Sequence, residues 1–181
     1  MNRKGNWLQT YSGRKFWPLD PRPEEVDLND IAHALSNLCR FAGHSLEFYS
    51  VAQHSVLVSQ IVPPKAALWG LLHDAAEAYC VDLPRPIKHD PGAAWYREVE
   101  QRIMCAVCER FGLAPVQPAS VSWADQVLLS TERRDLMTHS PGWHVHERPL
   151  IKRIEPWAPK EARHQFIQRA EELGLAYRGA A

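Results

Sequence analysis

A histidine and an aspartate stand side by side at His73-Asp74, within Leu71-Leu72-His73-Asp74-Ala75-Ala76-Glu77. Imidazole nitrogen and carboxylate oxygen together suit a divalent cation of the Zn, Mn, Fe or Co type. An adjacent pair cannot complete a coordination shell, so partners must come from elsewhere in the chain. His54 is the first candidate. At helical spacing it shares a stripe with Val51, Val58 and Ile61, which turns its imidazole toward a core. Asp125 behaves the same way, in a stripe with Val121, Leu128 and Glu132. A buried imidazole needs a polar partner, and a buried carboxylate without a cation is costly. Each residue alone has an ordinary alternative. A core histidine can be satisfied by a backbone or hydroxyl group, and Asp125 by Arg133 or Arg134.

The elements that would position these residues are helical. Asp27 or Asn29 can cap a helix over about 28–41, and Ser50 one that runs to about Val62, where Pro63-Pro64 stops it. A third is expected over about 64–79, with proline in its first turn. Prolines make 81–88 a loop. A long amphipathic helix follows over about 92–111 and ends at Gly112. Others are expected over about 118–137 and 159–173. Residues 139–157 read as irregular, with a small hairpin possible near 143–154. Residues 1–26, with Phe16-Trp17-Pro18-Leu19-Asp20-Pro21-Arg22-Pro23, cannot be a helix interior and read as an extended arm over the domain. The expectation is an all-α, single-domain bundle over 27–177 with a frayed tail at 178–181.

Composition narrows the class. The 181 residues fit one domain, with 45% hydrophobic and 23% charged residues as in ordinary globular proteins. Lys plus Arg equals Asp plus Glu at 21 each, which argues against a protein that coats nucleic acid or a membrane surface. No apolar run reaches membrane-spanning length, and the basic N-terminus lacks the apolar stretch of a secretory signal, so a cytoplasmic location is expected. The four cysteines do not form a disulfide framework.

The order His54, His73-Asp74, Asp125 resembles the HD superfamily of metal-dependent phosphohydrolases, whose four ligands are His, His-Asp and Asp on separate helices. Within it the chain is similar to the small bacterial 5′-deoxynucleotidases and the phage dATP triphosphohydrolases. The matching pieces are Cys39-Arg40-Phe41, Tyr49-Ser50-Val51-Ala52-Gln53-His54-Ser55, His73-Asp74-Ala75-Ala76-Glu77, Asp82-Leu83-Pro84-Arg85-Pro86-Ile87-Lys88 and Trp123-Ala124-Asp125, within about 28–135. The resemblance implies an HD-type helical bundle with one divalent transition metal (Mn, Co, Fe, Ni or Zn) on His54, His73, Asp74 and Asp125. A second divalent ion near Glu77 and Asp82 is an open possibility. It implies Glu77 and Asp82 as proton-handling acids, and Arg40, Lys88 and Arg85 as candidates for phosphate. Phe41 stands where those nucleotidases usually carry a tryptophan against the nucleoside. The implied activity is hydrolysis of a deoxynucleoside 5′-monophosphate. The alternatives are a deoxynucleoside triphosphate as substrate, or a silent nucleotide-sensing module. The implied assembly is a homodimer or larger homo-oligomer.

Other features carry less. Cys105 and Cys108 form a CxxC pair inside an amphipathic helix, with no second pair to complete a zinc site. His144 and His146 would share one face of a strand. His33 and His44 flank Arg40 and are candidates to line the same pocket.

Overall fold

The computed structural model describes residues 3–176, so the tail expected at 178–181 lies outside the described residues. The chain is all-α apart from one small hairpin. A two-stranded antiparallel sheet, β1 (Leu8–Gln9) and β2 (Lys15–Phe16), comes first, with Leu8 opposite Phe16. Then come α1 (Leu28–Asn37), α2 (Val51–Ile61), α3 (Ala67–Leu72), α4 (Glu77–Cys80), α5 (Arg85–Lys88), α6 (Ala94–Phe111), α7 (Ala119–Leu136) and α8 (Pro159–Glu172).

α2 is the central helix and packs against α1, α3, α7 and α8. Its stripe of Val51, Ala52, Val56 and Val58 is buried. The Ser50 side chain caps it by accepting from the Gln53 amide. α3 lies close against α2 because Gly70 has no side chain: a Cβ there would stand 3.0 Å from Ser59 Cα. One apolar cluster joins Phe16, Ile31, Leu35, Leu71, Leu72, Ile103 and Phe166. A smaller one joins Val58, Trp69, Val121 and Leu128 under α7. No helix among the described residues is long and apolar enough to cross a membrane.

Several elements differ from expectation for identifiable reasons. The arm is not simply extended. It folds into the β1–β2 hairpin and a 3-10 turn at Pro23–Glu25, and Phe16 is fully buried with its ring stacked 3.9 Å from that of Tyr79. α1 stops at Asn37 rather than 41, because the chain pairs across to the start of α2: Arg40 N–H donates to Tyr49 O and Val51 N–H to Leu38 O. Asp27, not Asn29, caps α1. The helix expected over 64–79 is broken at 73–76, where i to i+3 bonds such as Ala75 N–H to Leu72 O replace the α-helical ladder. The loop at 81–88 contains the short helix α5.

No strand forms near 143–154 among the described residues. That segment bonds to α7 instead of to itself. Leu150 N–H donates to Thr131 Oγ1 at 2.9 Å and Ile154 N–H to Asp135 at 2.9 Å. Arg134, through its hydrogen bonds, and the Ile154 amide hold the buried Asp135 carboxyl below its ordinary pKa. A carboxyl depressed in the fold is protonated first in the unfolded chain, so its contribution is complete above the unfolded pKa and is lost as pH falls through the folded one. Asp135→Asn is therefore expected to lower the urea midpoint at pH 7. The gap to the parent should shrink as pH drops below about 4. A gap that is constant across this range would remove the carboxylate from the anchor.

Candidate metal centre and its cavity

Four sequence-selected residues from three places in the chain meet. His54 comes from the middle of α2, His73 and Asp74 from the tightened turn after α3, and Asp125 from α7. His54 Nε2 lies 3.3 Å from His73 Nε2 and 3.2 Å from Asp125 Oδ1. Asp74 Oδ2 lies 3.2 Å from His73 Nε2 and 3.8 Å from His54 Nε2. The ligand atoms of His54, His73 and Asp74 fall within 4.8 Å of one another, close enough to hold a metal ion. Asp125 joins this group through His54.

The outward-facing nitrogens fix what the inner ones offer. His73 Nδ1 lies 2.8 Å from Gly70 O, which can only accept, so Nδ1 carries a hydrogen and Nε2 is the nitrogen left to the cluster. That ring also explains the broken helix, since it takes a carbonyl of the preceding turn. His54 Nδ1 lies 2.6 Å from Glu132 Oε1, an acceptor, so its Nε2 also faces the cluster. Two imidazole nitrogens and the Asp74 carboxylate thus lie around one point, with the Asp125 carboxylate beside His54, a set of donors that a cation can satisfy. Burial and the Arg40 charge pull the His54 pKa down, but the Glu132 and Asp125 carboxylates outweigh them and raise it to about 9. Burial opposes ionisation of Asp125, yet the hydrogen bond and charge of His54 bring it to about 2. Asp74, half-buried, is held below the ordinary range by His73, His54 and Arg40. A donor set of two imidazoles and two carboxylates fits a divalent transition metal, and each imidazole has the outer partner that such ligands use.

Asp74 and Asp125 of the cluster line a cavity of about 1030 Å³. Arg40, Phe41, Asp74, Glu77, Asp82, Arg85, Lys88 and Asp125 all line it, which gathers the remaining candidates around the metal site. Arg40 is not at a helix end. It sits in a turn where Phe41 and Ala42 adopt left-handed φ of 55° and 50°, and its guanidinium pairs with Glu132 at 3.2 Å and Asp74 at 3.6 Å. Glu77 is buried, and burial followed by the Asp74 and Asp82 charges pushes its carboxyl well above the ordinary range. Asp82 follows Val81, whose φ of 62° is a strained conformation for a β-branched residue. Lys88 reaches Asp82 at 3.1 Å and Glu100 at 2.6 Å. Its ammonium thus neutralises part of the acidic group Glu77, Asp82 and Glu100, the other set of ligand atoms spaced for a cation.

The remaining sequence features lie apart. Cys108 is buried in the smaller apolar cluster while Cys105 is exposed. His144 and His146 are both exposed and belong to no candidate metal group among the described residues. His44 lines the cavity, but His33 stacks on Tyr11 beside a separate pocket of about 310 Å³. Three residues escaped assignment from the sequence. Glu132 orients both His54 and Arg40, Glu100 holds Lys88, and Trp143 lines the cavity. Only Glu132 left a signal, as an acid in the inward stripe of Asp125.

Fold and site define an all-α domain with a buried His/Asp cluster, able to hold a metal ion, on a large cavity. No family model matches the chain. It is 42% identical over 172 residues to the uncharacterized protein YfdR of Escherichia coli, spanning 93% of this chain and 96% of that protein. It is 37% identical over 130 residues to an uncharacterized protein of Rhodobacter capsulatus, spanning 67% of this chain and 66% of the other. The chain belongs to the family of YfdR.

Proposed function

We propose that the chain is a metal-dependent phosphohydrolase that releases phosphate from deoxynucleoside 5′-monophosphates. The observation that carries this reading is the meeting of His54, His73, Asp74 and Asp125 on a cavity that also holds Glu77 and Asp82. When bound, a divalent cation of the Mn, Co, Fe, Ni or Zn type supplies Lewis acidity to a phosphoryl oxygen. The residues of the chain do the rest. Burial, followed by the Asp74 and Asp82 charges, lifts the Glu77 carboxyl out of the ordinary acid range and so makes its carboxylate a stronger base. It takes the proton of the water that attacks phosphorus. Asp82, in the same acidic group, relays that proton from Glu77 to the departing 5′ oxygen as the P–O bond breaks. Arg40 offsets charge that develops on the phosphoryl group.

Charge favours a monophosphate. Arg40, Arg85 and Lys88 line the cavity against Asp74, Glu77, Asp82 and Asp125. Arg40 and Lys88 are already paired, which leaves Arg85 as the lining cation without a carboxylate partner among the described residues. With one divalent cation the balance suits a phosphate monoester of about −2 better than a triphosphate. The test is an assay of the full chain across deoxynucleoside mono- and triphosphates, with each metal in turn, reading phosphate species by chromatography. Metal-dependent release of orthophosphate and nucleoside from monophosphates is the expected result. Tripolyphosphate released from triphosphates would replace the substrate. Nucleotide binding without turnover would leave a sensing module.

A further inference from the structure

We propose that Trp143 and Phe41 together form the platform for the substrate's nucleobase, so that the irregular segment after α7 is part of the substrate site. This rests on the nucleotide reading above. The two rings meet edge to face, with centroids 6.1 Å apart at 75°, and both line the cavity that holds the metal cluster. Both are half-buried, and neither belongs to the apolar clusters of the core. Such a corner accepts a flat aromatic group, which stacks on one ring and meets the edge of the other. A guanidinium backs each ring: Arg40 Cζ is 5.4 Å from the Phe41 centroid, and Arg133 Cζ is 5.9 Å from that of Trp143. These cation–π contacts hold the rings in place.

One helix links the platform to the chemistry. Asp125, Leu129 and Arg133 recur every four residues on α7 and so share a face. Asp125 belongs to the metal cluster, Leu129 lines the cavity between them in sequence, and Arg133 backs Trp143. Eight residues of helix advance about 12 Å, a span that accommodates a nucleotide from its phosphate to its base. The segment carrying Trp143 is tied to the same helix, since Trp123 Nε1–H donates to Glu147 at 3.2 Å and Leu150 N–H to Thr131 Oγ1 at 2.9 Å. Phosphate end and base end are thereby set by one rigid element.

The experiment compares Trp143→Ala and Trp143→Phe with the parent, as metal-loaded full-length protein. It measures kcat and KM for dAMP and for 2-deoxyribose 5-phosphate, which lacks a base, and dAMP binding by calorimetry. Stacking on an aromatic side chain predicts that Trp143→Ala lowers the preference for dAMP over the base-free ester about tenfold or more, through KM. Trp143→Phe should recover most of it. Equal losses on both esters would mean a structural role and overturn the proposal, as would an unchanged preference. If the parent binds dAMP but turns over neither ester, the hydrolase reading fails while the platform is still judged by the weakened binding of Trp143→Ala. If the parent neither binds nor cleaves dAMP, both readings fall.

Discussion

His73→Ala is expected to empty the centre of metal and to abolish turnover. The ring of His73 offers its Nε2 to the cluster because Nδ1 is committed to Gly70 O. Metal measured by mass spectrometry should fall from near stoichiometric to a small fraction. Loss of the several kcal/mol that a cation gives to a developing phosphoryl charge corresponds to about a thousandfold or more in kcat. The variant should keep its helical circular dichroism, because His73 lies in a turn beside the cavity rather than in an apolar cluster. His144→Ala with His146→Ala supplies the contrast. Those imidazoles are exposed and away from the cluster, so this pair should retain both metal and activity. Stoichiometric metal in His73→Ala would remove the assignment.

What the sequence made legible follows the reach of helical periodicity. His54 and Asp125 sit on regular helices whose apolar neighbours recur every three or four residues, so their inward direction could be read from spacing alone. Periodicity could not show that the helix around His73 breaks, because the break is made by a side chain taking the Gly70 carbonyl, a contact that spacing does not encode. It misplaced Arg40 for a similar reason. Continuation of α1 was the natural reading until the pairing of Leu38 and Arg40 with residues 49–51 turned the chain aside. Lys88 looked like a free cation for phosphate, but Glu100, twelve residues away on α6, comes back to hold it. Trp143 lay in a stretch whose alternating histidines suggested a hairpin. Its place is set by α7 side chains such as Thr131 and Asp135, which no local pattern reveals.

Glu132→Gln is expected to have the largest effect on stability, although Glu132 touches no candidate metal position. Its side chain is fully buried, and its two oxygens divide the work. Oε1 receives His54 Nδ1–H at 2.6 Å and Oε2 receives Arg40 at 3.2 Å. Arg40 and His54 pull the Glu132 pKa below its ordinary value against the penalty of burial, so the carboxylate stays ionised as the counter-charge shared by its two partners. Breaking such a group by neutralising one member costs about 3–5 kcal/mol, because Arg40 is left with Asp74 alone, at 3.6 Å, as its counter-charge. In a domain of this size that is a fall of on the order of 10 °C in melting temperature. The melt should be made on chelated protein, so that metal does not add its own stabilisation. A metal titration supplies the second readout. An outer carboxylate fixes the tautomer and orientation of a ligating imidazole, and its loss typically weakens metal binding about 10–100-fold. Replacing Arg40 together with Glu132 by methionines separates the two effects. The double variant should melt above Glu132→Gln, since no guanidinium short of counter-charge remains, yet it should still bind metal weakly, since His54 has lost its acceptor. A Glu132→Gln protein that melts and binds metal like the parent would show that the triad carries neither load.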